Sequence, residues 1–221
     1  KTFEIFIQLG AVLAIVWLYR QRFLAMLRGL TTEPASQRLA INLLVAFLPA
    51  AIIGLFTHHW IKAHLLTPVV VALGFIVGGI LILGIERWKP AERVSEAADI
   101  PPRTAFGIGL AQVLALLLPG FSRSGATIMG GYALGLSRTA ATEFSFFLAV
   151  PVIAVSLGAL SSADFPLFAG GFLVAFASAL VVVRAFLRYV AQHSFSVFAW
   201  YRIAFGVLLF WLYSRSGFPA L

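Results

Sequence analysis

Residues 119–127 read Pro-Gly-Phe-Ser-Arg-Ser-Gly-Ala-Thr, a polar turn between two apolar segments. Proline removes a backbone donor and glycine frees the backbone, so Pro119 and Gly120 end any helix that precedes them. The flanking segments, 104–118 and 126–136, would be about 22 Å and about 16 Å long as helices. Neither crosses a bilayer core of about 30 Å. The stretch therefore predicts a re-entrant helical hairpin, which is tolerated at membrane depth only where protein or a wet cavity surrounds the turn.

The remaining sequence has the composition of a membrane protein. Of its 221 residues, 61% are hydrophobic and 11% are charged, whereas about a quarter are charged in a soluble domain. Short polar linkers lie at 20–38 and 86–103, and the second reads as a solvated loop. We predict an all-α membrane protein, a single integral membrane domain over residues 1–221, with one re-entrant hairpin. About six transmembrane helices are expected from apolar stretches that reach or approach roughly 20 residues, at 3–19, 39–57, 67–85, 141–160, 166–188 and 195–213.

The basic residues provide a test of the hairpin. A net charge of +8 could indicate nucleic acid in a soluble protein. Here the basic residues lie in short loops between apolar runs, which indicates membrane topology and no nucleic-acid partner. A hairpin that returns to its own side places more basic residues on one face than a single broken crossing does, and the positive-inside rule makes that face cytoplasmic. The face would carry Arg20, Arg22, Arg28, Arg38, Arg87, Lys89, Arg93, Arg103, Arg138, Arg184 and Arg188.

An internal similarity predicts an inverted-topology repeat. The sequence Leu-Val-Ala-Phe at 44–47 recurs at 173–176, and the helices before the two copies open with Glu4 and Glu143. In the topology above, the copies run in opposite directions, an arrangement that places a site near the midplane between two halves. The halves are roughly 1–86 and 104–215. Because the second copy has its hairpin just before Glu143, we expect another hairpin just before Glu4, in a natural protein that extends upstream of Lys1.

The turn carries the densest polar cluster in any apolar region. A charged side chain at membrane depth costs roughly 2.5–3.5 kcal/mol on insertion scales and indicates function. The planar fork of Arg123 suits two oxygens of a phosphate, and Gly125 permits close backbone approach. The N-terminal end of the following half-helix also favours an anion. The sequence predicts an anion cradle formed with Ser122, Ser124 and Thr127. The alternative is that Arg123 snorkels from a short loop and the serines cap a helix.

Two acids at helix starts are further candidates. Glu4 and Glu143 could each be a general base, a metal ligand or the counter-ion of Arg123. Either could equally be an acid that the dipole favours at a helix N-terminus. Glu4 gains support from Gln8, which lies four residues on and shares its helix face.

Other polar residues in apolar regions have less specific interpretations. Arg202 lies inside the last apolar run and needs a partner. It could pair with a carboxylate or line the cavity. Three histidines surround Lys62, and we interpret them as part of a solvated loop: His58, His59 and His64.

These motifs resemble the undecaprenyl-diphosphate phosphatase family of bacterial inner membranes, also called the bacitracin-resistance protein family. The resemblance covers essentially all of the chain, and the Pro-Gly-x-Ser-Arg-Ser turn is its most specific part. The other matching stretches are Glu-Phe-Ser-Phe at 143–146, Leu-Ala-Val-Pro at 148–151, Thr-Phe-Glu at 2–4, Ile-Gln-Leu-Gly at 7–10 and Tyr-Arg at 201–202.

The resemblance implies hydrolysis of undecaprenyl diphosphate to undecaprenyl phosphate, which recycles the lipid carrier for cell-wall synthesis. It also implies an inner-membrane enzyme whose site opens to the periplasm and uses a divalent metal, Mg or Ca. Family members carry an upstream Glu-x-x-x-Glu pair and a Ser-Ser-Thr-Gly-His stretch, and this sequence contains neither. The nucleophile and the metal ligands are therefore unassigned. Polyprenyl diphosphate and membrane lipid are the expected partners, and the sequence is compatible with an oligomer.

The residues expected to act directly are assigned as follows. We predict catalytic roles for Ser122, Arg123, Ser124, Thr127 and Glu4, and substrate-binding roles for Gly125, Gln8 and Arg202. A membrane transporter or flippase for an anionic, phosphorylated substrate is the alternative function, because inverted repeats with broken helices are typical of transporters.

Overall fold

The computed structural model describes residues 2–88, 90–156 and 165–216, and these residues are almost entirely helical. This confirms the predicted all-α class. One 3-10 turn, Ala97–Asp99, lies between the fourth and fifth helices. The described helices are α1 (Thr2–Leu18), α2 (Arg20–Gly29), α3 (Pro34–His64), α4 (Pro68–Trp88), α5 (Pro102–Leu117), α6 (Arg123–Ala133), α7 (Arg138–Ser156), α8 (Phe165–Gln192) and α9 (Ser196–Ser216).

Most of the predicted crossings correspond to long apolar helices. In the described parts of the chain, α3, α4, α8 and α9 each contain a segment long and apolar enough to cross a membrane. The pair α1 and α2 could supply a fifth crossing, although the chain bends by 74° between them. The predicted crossing at 141–160 corresponds to α7, which ends at Ser156. The last four residues of that prediction, 157–160, lie outside the described residues.

The hairpin returns to the side from which it starts. The backbone N–H groups of Arg93 and Val94, which precede α5, donate to the carbonyl oxygen of Gly135, which follows α6, over 2.8 and 3.1 Å. Ser137 N–H in turn donates to the Val94 carbonyl over 2.8 Å. The two ends of the α5–α6 unit are thus joined to each other. This confirms the re-entrant hairpin and excludes a single broken crossing.

Glu86 fixes three helices on that same side. Its carboxylate accepts hydrogen bonds from Arg138 Nε and Nη2, at 3.2 and 2.7 Å, and from the Phe195 N–H at 2.8 Å. The contacts join the end of α4 to the starts of α7 and α9. The prediction that Glu86 belongs to a solvated loop is wrong, because the side chain is 6% exposed. A buried carboxylate is tolerated here since a forked guanidinium and a backbone donor satisfy its oxygens.

The polar linker predicted at 20–38 is partly helical. It contains the ten-residue helix α2, on which Arg22 forms an ion pair with Glu143 of α7. Tyr19 Oη donates to the other oxygen of the same carboxylate over 3.2 Å. Glu143 therefore neutralises Arg22, and the alternative that it is the counter-ion of Arg123 is wrong. The ion pair between Arg22 and Glu143 requires the sharp bend between α1 and α2. The sequence pattern of a polar linker does not predict such a bend.

The histidine cluster is helical. Because α3 continues to His64, the residues His58, His59 and Lys62 lie in its last two turns, and the interpretation as a loop is wrong. The ring centroids of His58 and His59 are 3.8 Å apart. Polar residues extend a helix readily once its apolar part is fixed, so composition alone misplaced this boundary.

Helix packing agrees with the predicted repeat without testing it. α1 packs on α8, α7 packs on α3, and α4 packs on α9. A twofold exchange of α1 with α7, α3 with α8 and α4 with α9 maps this set of pairs onto itself. The inverted-topology repeat, with halves at 1–86 and 104–215, stays a prediction.

We expect Glu86→Ala to lower the thermal stability of the detergent-solubilised protein. The change removes three hydrogen bonds to a buried carboxylate, and bonds to charged groups are worth about 1.5–3 kcal/mol each before the partial exposure of Arg138 is discounted. A fall in melting temperature of several degrees, followed by tryptophan fluorescence, is the expected result. Glu92→Gln is the control, because Glu92 is exposed and its only described hydrogen bond is the one it accepts from Ser95 Oγ. Equal melting temperatures for both variants and the parent would contradict the structural role of Glu86.

Candidate active site

The turn between the half-helices has an unusual backbone. α5 ends at Leu117 and α6 begins at Arg123. Between them, Gly120 has φ +89° and Ser122 has φ +64°. For a residue with a side chain, such a conformation costs of order 1–3 kcal/mol and persists only where the surroundings impose it. Ser122 is also the N-cap of α6, and its Oγ accepts the Gly125 N–H over 3.2 Å.

Two helices hold this turn in place. A Cβ atom added to Gly74 of α4 would lie 2.2 Å from the Pro119 carbonyl oxygen, so the backbones are in direct contact there. From α9, Arg202 Nη2 donates to the Gly120 carbonyl over 2.7 Å, and its guanidinium lies 4.9 Å from the ring centre of Phe75. The non-helical backbone is therefore packed and hydrogen-bonded by protein, which meets the requirement for a turn at membrane depth.

Arg202 has a different partner from those considered in the sequence. It bonds a backbone carbonyl and, among the described residues, no carboxylate. Its guanidinium also lines a cavity of about 270 Å³ together with Ser122 and Ser124. The geometry makes Arg202 a residue that positions the turn, and its direct contact with substrate stays a prediction.

The side chain of Arg123 faces a cavity. Its side chain is exposed and forms no hydrogen bond or ion pair with any described residue. It lines a cavity of about 640 Å³ that Gln8, Gln112 and His58 also line. An unpaired guanidinium in a largely apolar cavity has its full set of donors available for an anion.

The hydroxyl of Thr127 is directed to a neighbouring helix. Its Oγ1 lies 2.6 Å from Ser145 Oγ on α7 and within 3.2 Å of the Arg123 and Ser124 carbonyl oxygens. Thr127 has one proton to donate, so when a carbonyl receives it, Ser145 donates to Thr127. The pair is buried beside a cavity of about 250 Å³ that Arg123 and Ser124 also line. Ser145 was not among the predicted site residues, because a serine in a helix carries no signal of its partner.

The two α1 candidates are placed differently. Gln8 lines the 640 Å³ cavity with Arg123, so the structure brings it to the site. Glu4, one turn earlier, is exposed and has no hydrogen bond or ion pair to a described residue. Its catalytic role stays a prediction, as does the substrate-binding role of Gly125, which lies in the first turn of α6.

The sequence interpretation missed Gln112. It belongs to α5, is 5% exposed and lines both the 640 Å³ and the 250 Å³ cavities. The available signal was a lone amide in an otherwise apolar half-helix.

The larger cavity lies away from the basic face. All but one of its α3 residues belong to the second half of that helix, among them Ala50, Gly54 and His58. The first half of α3 lies near Arg22 and Glu96, at the end of the molecule where Glu86 binds Arg138. The cavity that Arg123 lines thus extends toward the end of the molecule opposite to the cluster of basic residues.

This fold and site define a class: a multi-pass helical membrane protein in which a re-entrant hairpin presents Ser124 and Arg123, whose guanidinium has no partner among the described residues, to one cavity. Comparison with known proteins specifies it further. Residues 1–208 match the family described as bacitracin resistance protein BacA, and the chain belongs to that family.

Curated relatives are similar over nearly the whole chain. An undecaprenyl-diphosphatase of Dechloromonas aromatica is 50% identical over 217 residues, which cover 95% of this chain and 79% of the relative. Undecaprenyl-diphosphatase 2 of Rhodospirillum rubrum is 53% identical over 215 residues, 94% of this chain and 78% of the relative. An undecaprenyl-diphosphatase of Acidovorax ebreus is 50% identical, with 95% and 79% covered.

We expect Gly74→Ala to destabilise the protein, because the new methyl group would have to displace the Pro119 carbonyl. Overpacking of this kind costs typically about 1–3 kcal/mol. Gly84→Ala is a matched control on the same helix, since a Cβ atom there meets nothing within 4 Å. It should be neutral or slightly stabilising, as alanine favours a helix by up to about 1 kcal/mol over glycine. Melting temperatures in detergent measure both changes, and a Gly74→Ala protein as stable as Gly84→Ala would refute the close contact.

Proposed function

We propose that this protein hydrolyses undecaprenyl diphosphate to undecaprenyl phosphate and inorganic phosphate, and so recycles the lipid carrier for cell-wall synthesis. The observation that carries the proposal is the unpaired guanidinium of Arg123 on a strained turn at a helix N-terminus, in a chain of the bacitracin resistance family. The undecaprenyl-diphosphatases that resemble it support the choice of substrate.

The turn is suited to hold the terminal phosphoryl group. Arg123 can bind two phosphoryl oxygens through its planar fork. The first N–H groups of α6, those of Arg123 and Ser124, have no partner within the helix and are free to donate to an anion bound at its N-terminus. The transition state of phosphoryl transfer spreads negative charge over the equatorial oxygens, so fixed donors on one turn lower its free energy without reorganisation.

The attacking group is not assigned. Ser122 and Ser124 lie on the turn with their Oγ atoms 3.5 Å apart, and each could donate to a phosphoryl oxygen. Among the described residues, neither hydroxyl has a carboxylate or imidazole partner that would activate it as a nucleophile. Thr127 is held through Ser145, a contact that joins the N-terminal part of α6 to α7 and restricts the position of the proposed cradle.

A divalent metal ion stays an expectation from the family. In the parts of the chain that the structure describes, no three His, Cys, Asp or Glu side chains converge on a common point. The described residues therefore do not form a ligand set, and no step of the reaction is assigned to a metal here.

The proposed orientation places the site on the periplasmic side of the inner membrane. The charge distribution supports it, because Arg22, Arg93 and Arg138 lie at one end of the molecule and the cavity with Arg123 lies toward the other. Basic loops favour the cytoplasm. The apolar outer surfaces of the crossing helices fit contact with lipid.

We expect purified full-length protein to release phosphate from undecaprenyl diphosphate, and Arg123→Ala to reduce kcat/KM by about 10²–10³-fold, as for loss of one preorganised donor. Arg123→Lys keeps the charge but not the fork and should retain part of the activity. Released phosphate is measured in detergent. Arg215→Ala is the control, because Arg215 is an exposed cation at the far end of α9 that contacts Trp211.

Two results would contradict this proposal. Undiminished turnover by Arg123→Ala would show that the guanidinium on the turn takes no part in the reaction. A wild-type protein that moves labelled lipid diphosphate across vesicle membranes and leaves the diphosphate intact would favour the transporter alternative.

A further inference from the structure

Gln112 is the one polar residue on the buried face of α5. The buried residues of that helix are Ala105, Ile108, Gly109, Gln112 and Val113. A carboxamide in this position gives up hydration, and an amide without a compensating hydrogen bond costs about 1–3 kcal/mol in protein interiors. The position therefore requires a partner for the amide.

The described part of the protein supplies none. Gln112 forms no hydrogen bond with any described residue, and its polar atoms are not among those fully enclosed without a partner. Both observations place the amide at the cavity surface, where a bound molecule can reach it. Asn42 shows the contrasting case of a structural amide, because its Nδ2 donates to the Ile100 carbonyl over 2.6 Å.

Gln112 and Arg123 both lie where two cavities adjoin. The 640 Å³ and 250 Å³ cavities share three lining residues, Gln112, Arg123 and Val152, of which only the first two are polar. Gln112 approaches from the first half of the hairpin and Arg123 from the second. The amide and the guanidinium are not bonded to each other, so the Gln112 carbonyl is not used to position Arg123.

We propose that Gln112 is a substrate-contacting residue, whose carboxamide N–H donates to a phosphoryl oxygen of the diphosphate that Arg123 binds. This inference rests on the function proposed above. A neutral amide adds donors to the cradle without adding a charge that would need its own counter-ion in the bilayer. It also explains why α5, which otherwise only packs, carries a buried polar side chain at the level of the cavity.

Gln112→Met tests the contact, because methionine has a similar length and shape and no donor. We expect the KM for undecaprenyl diphosphate and the inhibition constant of inorganic phosphate to rise about tenfold or more, which corresponds to loss of a hydrogen bond to a charged group. Gln112→Glu is a second variant of nearly the same size, whose carboxylate would repel phosphate, and it carries the test if the methionine variant does not fold. Gln37→Met is the control, since Gln37 is exposed on α3 and donates only to the Leu30 carbonyl.

A merely structural role would lower the melting temperature and leave KM and phosphate inhibition unchanged in the folded variants, and that result would overturn the inference. The stabilisation of the protein by inorganic phosphate in a thermal melt keeps the test separate from the proposed function. If wild-type protein releases no phosphate from the lipid, the proposed function fails. A loss of phosphate stabilisation in Gln112→Met, with Gln37→Met unaffected, would still support the contact, and equal stabilisation of all three would refute it.

Discussion

Non-helical backbone inside a membrane must find its hydrogen-bond partners within the protein, and the structure depends on how residues 118–122 meet that requirement. The Gly120 carbonyl oxygen accepts a hydrogen bond from Arg202, and the Ser122 side chain caps α6. Because Gly74 has no side chain, the backbone of α4 can approach the Pro119 carbonyl directly. Each contact comes from a different element. The turn is consequently held from three elements, as a preorganised anion site requires.

The same arrangement separates two arginines by role. Arg202 is used by the backbone of the turn and stacks on Phe75, whereas Arg123, on the turn itself, is left unpaired among the described residues. A charge at membrane depth without a counter-ion is unfavourable in the absence of ligand. Binding a phosphate removes that cost, so the unpaired state of Arg123 favours an anionic substrate.

At the opposite end of the molecule, Glu86 determines where the helices start. By binding Arg138 and the Phe195 N–H it aligns the ends of α4, α7 and α9, and the backbone bonds of Gly135 close the hairpin beside them. Once both hairpin ends are fixed there, the length of α5, 16 residues or about 24 Å, carries the turn most of the way across the core. The distance of the site from the basic face therefore follows from helix length.

The hairpin and its polar turn could be predicted from the sequence because their signals are local. Pro119-Gly120 ends a helix wherever it lies, and a Ser-Arg-Ser triplet in an apolar region is conspicuous. Glu86, Glu143 and Arg202 were not assigned their partners for one reason: each binds a residue more than 50 positions away along the chain, and no local pattern indicates such a partner. Gln112 and Ser145 were overlooked because only the packing of α5 and α7 shows that they face the cavity.

The central claim is that the turn is a phosphate site reached from the face opposite to the basic loops. The 221-residue sequence contains no cysteine, so Ser124→Cys gives it a single thiol, at an exposed position next to the turn. A membrane-impermeant maleimide should label it from the periplasmic side of intact spheroplasts, and inorganic phosphate should slow the labelling. Ser95→Cys, in an exposed loop on the basic face, should be labelled only in inverted vesicles. Labelling of Ser124→Cys from the cytoplasmic side alone, or at a rate that phosphate does not change, would contradict the account.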